Sequence, residues 1–408
     1  MRIRSAGRAR WRQVPAGMPD QTADHVAARR RLEARLLTLF TAWGYDEVAT
    51  PTLEYLDTLL HGAGPGVADR LLKLVDSGGE ILTLRPEMTV PLARFAATRL
   101  LPAGRRPLRL AYVATVFRGQ ERGSGRLREF TQAGVELIGE GDLASDAEVI
   151  ALAAEALRVA EVPGASISVG HAGFLRGLLA SLPDPIAEAT RDLLYRRAFA
   201  ELNRLVPQGA SLEALRRLPT LRGPDALDRA QPLAATDESR AALEALRVVL
   251  DRVAVHRPAV RVDLDLGLIR DFDYYSGVVF EAHGPAPGLP LLGGGRYDDL
   301  LARFGQPAPA TGFAIGLERV LEVTSARPGT RGVVMVVYRG DAYGAAVAAA
   351  ARLRDAGVPA IVSPTPGAGG HLGVVTVEPD GLRIELGGRQ TTVTLDRLVA
   401  TVQAAWAP

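Results

Sequence analysis

RPLRLAYVATVFRGQERGSGRLREFTQAGVELIG, residues 106–139, is two strand-forming runs around a polar turn that contains glycine. The first run is rich in β-branched and aromatic residues, and the second mixes apolar and polar positions, which together predict a β-hairpin. Residues two or four apart in a strand share a face. Gln132 and Glu136 therefore point one way, with Arg126, Arg128 and Phe130, while Val135 and Leu137 point the other. A sheet face carrying arginines, an amide and a carboxylate is too polar for a core. It suits an amino acid or a phosphate, although a solvated sheet face accounts for the pattern equally well.

Upstream, residues 23–43 follow helical spacing, with Val26, Leu32, Leu36, Leu37, Phe40 and Trp43 on the apolar side. A short strand at 46–50, a Gly-rich loop at 61–66 and a strand at 81–84 lead to a helix at 89–100, where Pro91 fits the first turn. The strand-to-helix turn reads Arg85-Pro-Glu87-Met-Thr89: Glu87 can accept from an ammonium group and Thr89 can support it. An acidic helix start with a threonine cap is the plainer explanation.

Downstream, helices at 145–159 and 171–179 flank a strand at 165–170. Residues 183–255, rich in Leu, Ala and Arg, read as an insertion of helices, and strands follow at 260–266, 273–283 and 312–317. LIRDFDYYSGVVFE (268–281) sets Tyr274 and Tyr275 near Arg270, a combination that can stack on a ring and clamp an anion. Tyrosines are also common in strands for packing reasons alone. GGGRYD (293–298) allows close backbone approach to a ligand or forms a plain loop. TGFAIGLER (311–319) places Arg319 in the first turn of a helix after a strand.

Residues 326–330 look like a linker. Residues 331–408 then give strand, Ala-rich helix and strand, a Pro/Gly loop at 364–370, two more strands and a closing helix: a small α/β domain. Residues 1–325, before the linker, are expected to form one larger domain.

Composition narrows the class. The chain has 408 residues, a hydrophobic fraction of 47% and a charged fraction of 23%, ordinary values for globular domains. It has no cysteine, which excludes disulfides, thiolate metal sites and cysteine nucleophiles. No apolar run is long enough for a membrane helix and no secretory signal opens the chain, so a cytoplasmic location is expected. The net charge is only +2, a poor match for a large nucleic-acid footprint. Lys73 is the only lysine, so arginine carries nearly all the positive charge.

Together these strings resemble the signature sequences of class II aminoacyl-tRNA synthetases. Phe117-Arg118 through Phe130 is similar to the second motif and Gly312 to Arg319 to the third, while 268–275 and 293–297 resemble the signatures particular to the histidyl enzymes. The fold implied is α+β: a class II synthetase-like antiparallel sheet flanked by helices over 1–325, with a helical insertion and a small α/β C-terminal domain. The resemblance implies a histidine pocket made by Glu87, Thr89, Gln132, Glu136, Tyr274 and Tyr275, with Arg118, Arg270 and Arg319 for anions or phosphates.

Three departures point away from a working synthetase. Gln120 stands where the second motif usually has a glutamate, and Asp271 stands where a glycine usually follows the signature arginine. The C-terminal segment 331–408 has seven arginines, six acids and no lysine, a net of +1, a poor grip for an RNA stem. RPEMTVPLARFAATRL and GRLREFTQAGVELIG instead resemble the histidine-biosynthesis paralogue family, the regulatory subunits of hetero-oligomeric ATP phosphoribosyltransferase. That likeness implies a non-catalytic subunit with no cofactor and no metal. It would partner the short-form catalytic subunit, take part in feedback regulation by histidine, and form a homodimer core within the hetero-oligomer, through the region near residues 43–54. The alternatives are an active histidyl-tRNA synthetase and a stand-alone histidine-sensing module.

Overall fold

The computed structural model describes residues 10–119, 126–196, 198–207, 209–269, 274–285, 288–324, 332–365, 371–378, 381–386 and 388–406. Gln120 and the rest of the hairpin turn, Arg270 with Asp271 and Asp273, the linker and most of the Pro/Gly loop lie outside those residues. Two compact units divide the chain, Met1–Ala326 and Arg327–Pro408.

The first unit is built on eight strands: β1 Asp46–Glu47, β2 Leu108–Phe117, β3 Glu129–Ile138, β4 Ser166–His171, β5 Arg261–Leu264, β6 Val278–His283, β7 Leu292–Arg296 and β8 Ala310–Gly316. Their order across the sheet is β1-β2-β3-β8-β7-β6-β4-β5. All neighbours are antiparallel except the outermost pairs, β1 with β2 and β4 with β5. The hairpin sits near the centre in the register Tyr112↔Gly134 and Ala114↔Gln132. The glycine run is a strand rather than a loop. Gly293 and Gly294 pair with Ala314 and Phe313, because a missing Cβ leaves the ladder hydrogen bonds untouched.

Helices α1 Ala23–Ala42, α2 Thr89–Phe95, α3 Leu143–Val159, α4 Asp237–Val255 and α5 Leu317–Val323 complete the frame that positions the site. α1, α3 and α4 contribute to one large core with the inner face of the sheet, where Ala133, Val135 and Leu137 of β3 are fully buried. Asp142 caps α3 by accepting from the Ala144 N–H at 2.6 Å. Thr236 and Ser239 form a capping box at α4. Asp184–Val255 is a run of helices, the insertion read from composition. The helix expected at 89–100 is α-helical only to Phe95 and continues as a π turn over Ala96–Leu100.

A separate three-stranded sheet joins Leu53–Tyr55, Leu72–Val75 and Ile81–Leu84. Composition gave no sign of its first two strands. Its inner face carries Glu54, which takes a two-pronged hydrogen bond from Arg94 of α2 at 3.0 and 2.7 Å. Its outer face carries Leu53, Tyr55 and Leu74, at 39%, 57% and 36% exposure.

The second unit holds a five-stranded mixed sheet, Ala360–Ser363, Val333–Val337, His371–Glu378, Gly381–Leu386 and Arg389–Val393 in that spatial order, with helices Tyr343–Asp355 and Leu395–Trp406. Val334, Val336, Ala346, Leu353, Val375, Ile384, Leu398 and Val402 form its core.

Candidate functional site

The cleft lies on the face of the large sheet opposite the main core, and its floor is made by leaving side chains out. One row across the sheet runs Tyr112, Gly134, Ala314, Gly293, Glu281. The next runs Leu110, Glu136, Gly312, Gly295, Val279. Glycines in the middle strands open a cavity of about 1280 Å³, lined among others by Glu87, Thr89, Arg118, Arg126, Arg128, Phe130, Gln132, Tyr274, Tyr275 and Arg319. That volume exceeds a single amino acid severalfold, within reach of a nucleotide-sized ligand.

At one wall, the turn Arg85–Thr89 is fixed from behind. The buried Arg85 guanidinium donates to the carbonyls of Thr50 at 2.7 Å and Thr115 at 3.0 Å. The Glu87 carboxylate accepts from the N–H groups of Thr89 at 2.6 Å and Val90 at 2.9 Å, so it also caps α2. Burial nevertheless pushes its carboxyl pKa up, against those hydrogen bonds and the nearby Arg118 charge. The plainer explanation from sequence, a helix start, and the ligand explanation thus share the same residue.

Glu136 sits one layer deeper and does not line the cavity. Its two oxygens accept from the Thr89 hydroxyl at 2.9 Å and from the Tyr297 hydroxyl. Burial pushes its carboxyl up to about 8, with the Glu87 charge adding to the shift and both hydroxyl bonds opposing it. Tyr297 touches Tyr274 edge-on at 5.7 Å, and Tyr274 lies 4.8 Å from Tyr275. Burial and the carboxylates raise Tyr274 and Tyr297 well above the ordinary phenol range, so both keep their protons.

At the hairpin end, Phe130 is flanked by two guanidinium groups, Arg118 at 5.2 Å and Arg319 at 5.9 Å from its ring centre. Arg118 also donates to the Pro86 carbonyl at 2.8 Å, and Arg319 to the Pro290 carbonyl at 2.7 Å. The parity argument brings Arg126, Arg128, Phe130 and Gln132 to the same cleft. The Gln132 carbonyl oxygen is buried and, among the described residues, accepts no hydrogen bond.

Arg296 of the glycine string faces away from the cleft. It is buried against Asp146 of α3, with Nε at 3.0 and 2.9 Å from the two carboxylate oxygens, and also meets Asp298 at 3.0 Å. It ties sheet to helix. Two tyrosines not singled out from the sequence reach the site, Tyr112 and Tyr297. Assigning Tyr112 to this face required the register Tyr112↔Gly134, which the length of the turn did not reveal. Among the described residues, no group of three His, Cys, Asp or Glu side chains could hold a metal, and no helix is long and apolar enough to cross a membrane.

This sheet, with its glycine floor, arginine-flanked phenylalanine and tyrosine pair, defines a class II protein of the histidyl-tRNA synthetase type, and the histidyl-tRNA synthetase family model matches residues 17–320. The ATP phosphoribosyltransferase regulatory subunits of Moorella thermoacetica and Symbiobacterium thermophilum are each 43% identical to the chain. The first alignment covers 76% of this chain and 81% of the relative, the second 85% and 89%. The chain belongs to the family of ATP phosphoribosyltransferase regulatory subunits. A crystal structure described as an ATP phosphoribosyltransferase regulatory subunit/histidyl-tRNA synthetase from Bacillus halodurans matches with a TM-score of 0.79 at 31% identity, covering 89% of this chain and 97% of that one. A histidyl-tRNA synthetase from Nostoc, 20% identical with a TM-score of 0.79 over 96% of this chain and 99% of its own, shares the fold.

Proposed function

We propose that this chain is the non-catalytic regulatory subunit of an ATP phosphoribosyltransferase and that its cleft binds histidine. The observation that carries the reading is the convergence of Glu87, Thr89, Gln132 and the Tyr274–Tyr275 pair on one cavity whose Gln132 oxygen awaits a donor. The ligand's ammonium group meets Glu87, Thr89 and Gln132, and its ring packs on the tyrosines. Glu136 acts through Thr89 and Tyr297, holding both in place. Arg118 and Arg319, with Arg270, take the ligand's anionic end.

The short-form catalytic subunit is the partner, and histidine shifts the complex between more and less active states by differential binding. The outer apolar face of the small sheet, Leu53, Tyr55 and Leu74, supports a homodimer core within the hetero-oligomer. The near-neutral C-terminal unit, with no lysine, supports a subunit that does not grip tRNA. A cytoplasmic location suits a biosynthetic subunit.

The test is reconstitution. Added to a short phosphoribosyltransferase subunit, the purified chain should raise its activity and make it sensitive to histidine. Histidine-dependent ATP–pyrophosphate exchange by the chain alone would overturn the reading.

A further inference from the structure

One polar group on the cleft floor is still without a role. Tyr112 is only 1% exposed and lines the cavity, and among the described residues its hydroxyl has no hydrogen-bond partner. Leaving a buried hydroxyl unmatched is costly, and such groups in folded proteins usually have a reason. The sequence makes room for this one: Gly134 stands opposite, and a Cβ there would come within 2.5 Å of the Tyr112 oxygen. The unmatched Gln132 oxygen lies one cross-strand pair along the same face. One group lacks an acceptor and the other lacks a donor.

We propose that the Tyr112 hydroxyl is a specificity-determining group that donates a hydrogen bond to the unprotonated ring nitrogen of an imidazole amino acid in the cleft. The inference rests on the histidine-binding reading above and adds the group that reads the ring. Burial together with the Glu136 and Glu87 charges keeps the Tyr112 proton on, so the hydroxyl is able to donate. A neutral imidazole carries one bare nitrogen and one N–H, so it can accept from such a hydroxyl. Tyr112 and Arg118 project from the same face of the hairpin strand at different points along it, so the hydroxyl meets a part of the ligand other than the end the arginines hold. A phenylalanine would fill the same space and offer no bond.

The experiment compares the full-length protein with Tyr112→Phe by calorimetry against histidine and against histidinol, which keeps the ring and lacks the carboxylate, and by melting without ligand. The variant should bind both ligands about tenfold more weakly. Without ligand it should melt no lower than the parent, because an unmatched buried hydroxyl has been removed. A purely structural tyrosine would show the reverse, a lower melting temperature with unchanged affinity, and that result overturns the proposal. A loss seen with histidine and absent with histidinol overturns the ring assignment. If the parent itself binds no histidine, the functional reading falls and this inference with it. If the parent binds and Tyr112→Phe binds equally well, this inference falls alone.

Discussion

Gly312 stands directly opposite Glu136 on the neighbouring strand, and a Cβ there would lie 1.9 Å from the Glu136 carboxylate and 2.4 Å from the Val135 carbonyl. The Val135 carbonyl is strand backbone and cannot yield, and the Glu136 carboxylate can give way only by leaving Thr89 and Tyr297. Gly312→Ala should cost about 1–3 kcal/mol in urea unfolding, as overpacking does. It should also push Glu136 off its two hydroxyls and weaken histidine binding by at least about tenfold in calorimetry, an effect of about 1.4 kcal/mol. Native affinity in this variant would contradict the supporting role given to Glu136.

Asp146 is the test of the opposite face. Removing its carboxylate leaves the Arg296 guanidinium buried with Asp298 as its remaining charged partner. Breaking a buried pair in this way typically costs about 3–5 kcal/mol, and Asp298 should hold the loss near the lower end. Asp146→Ala should therefore unfold at markedly lower denaturant, while its folded fraction binds histidine as the parent does. A large change in affinity would mean that the two faces of the sheet are coupled.

The pH dependence of stability has a definite sign. Glu136 holds its proton in the folded state up to about 8, whereas an ordinary carboxyl loses it near 4.5. Between those values the folded state binds the extra proton, so stability falls as pH rises, by at most about 1.4 kcal/mol per unit from this group. Glu87, also raised, adds in the same direction. His171 opposes them: burial lowers it to about 4 from 6.5, so its contribution to stability rises with pH across that range. The window from about 6.5 to 8 is free of it. Unfolding measured there should show declining stability in the parent and a flatter profile in Glu136→Gln.

The small sheet predicts assembly. Placing glutamate at both Leu53 and Leu74 puts two charges on its outer apolar face without touching the Glu54–Arg94 pair inside. Light scattering should then give half the parent's mass, with unfolding little changed. A parent that is already monomeric would refute the homodimer, and a variant that stays dimeric would move the interface elsewhere.

Much of this was legible in the sequence because it depends on local chemistry. The hairpin declared itself through its strand-forming runs, and period-two parity alone put Phe130, Gln132 and Glu136 on one face. What escaped depends on contacts between distant segments. Gly293–Gly295 has the composition of a loop, and only pairing with Val279–Glu281 and Gly312–Ala314 makes it a strand. Strands 53–55 and 72–75 are short and mixed, so no periodicity builds up. The depth of Glu136 and the placement of Tyr112 both follow from cross-strand register, which the number of residues between the two strands does not reveal. The same holds for Arg296, whose partner is a carboxylate 150 positions earlier.

The glycine-paved floor has a consequence for how this scaffold can change its taste. Its amides and carbonyls are committed to the ladder, so the surface beneath a bound molecule is chemically mute. Discrimination therefore falls to the few side chains around the glycines: Tyr112 and Gln132 on the hairpin strands, the turn after the small sheet, and the tyrosine pair. Exchanging those few groups would retune which compound is accepted, while the sheet that carries them stays as it is.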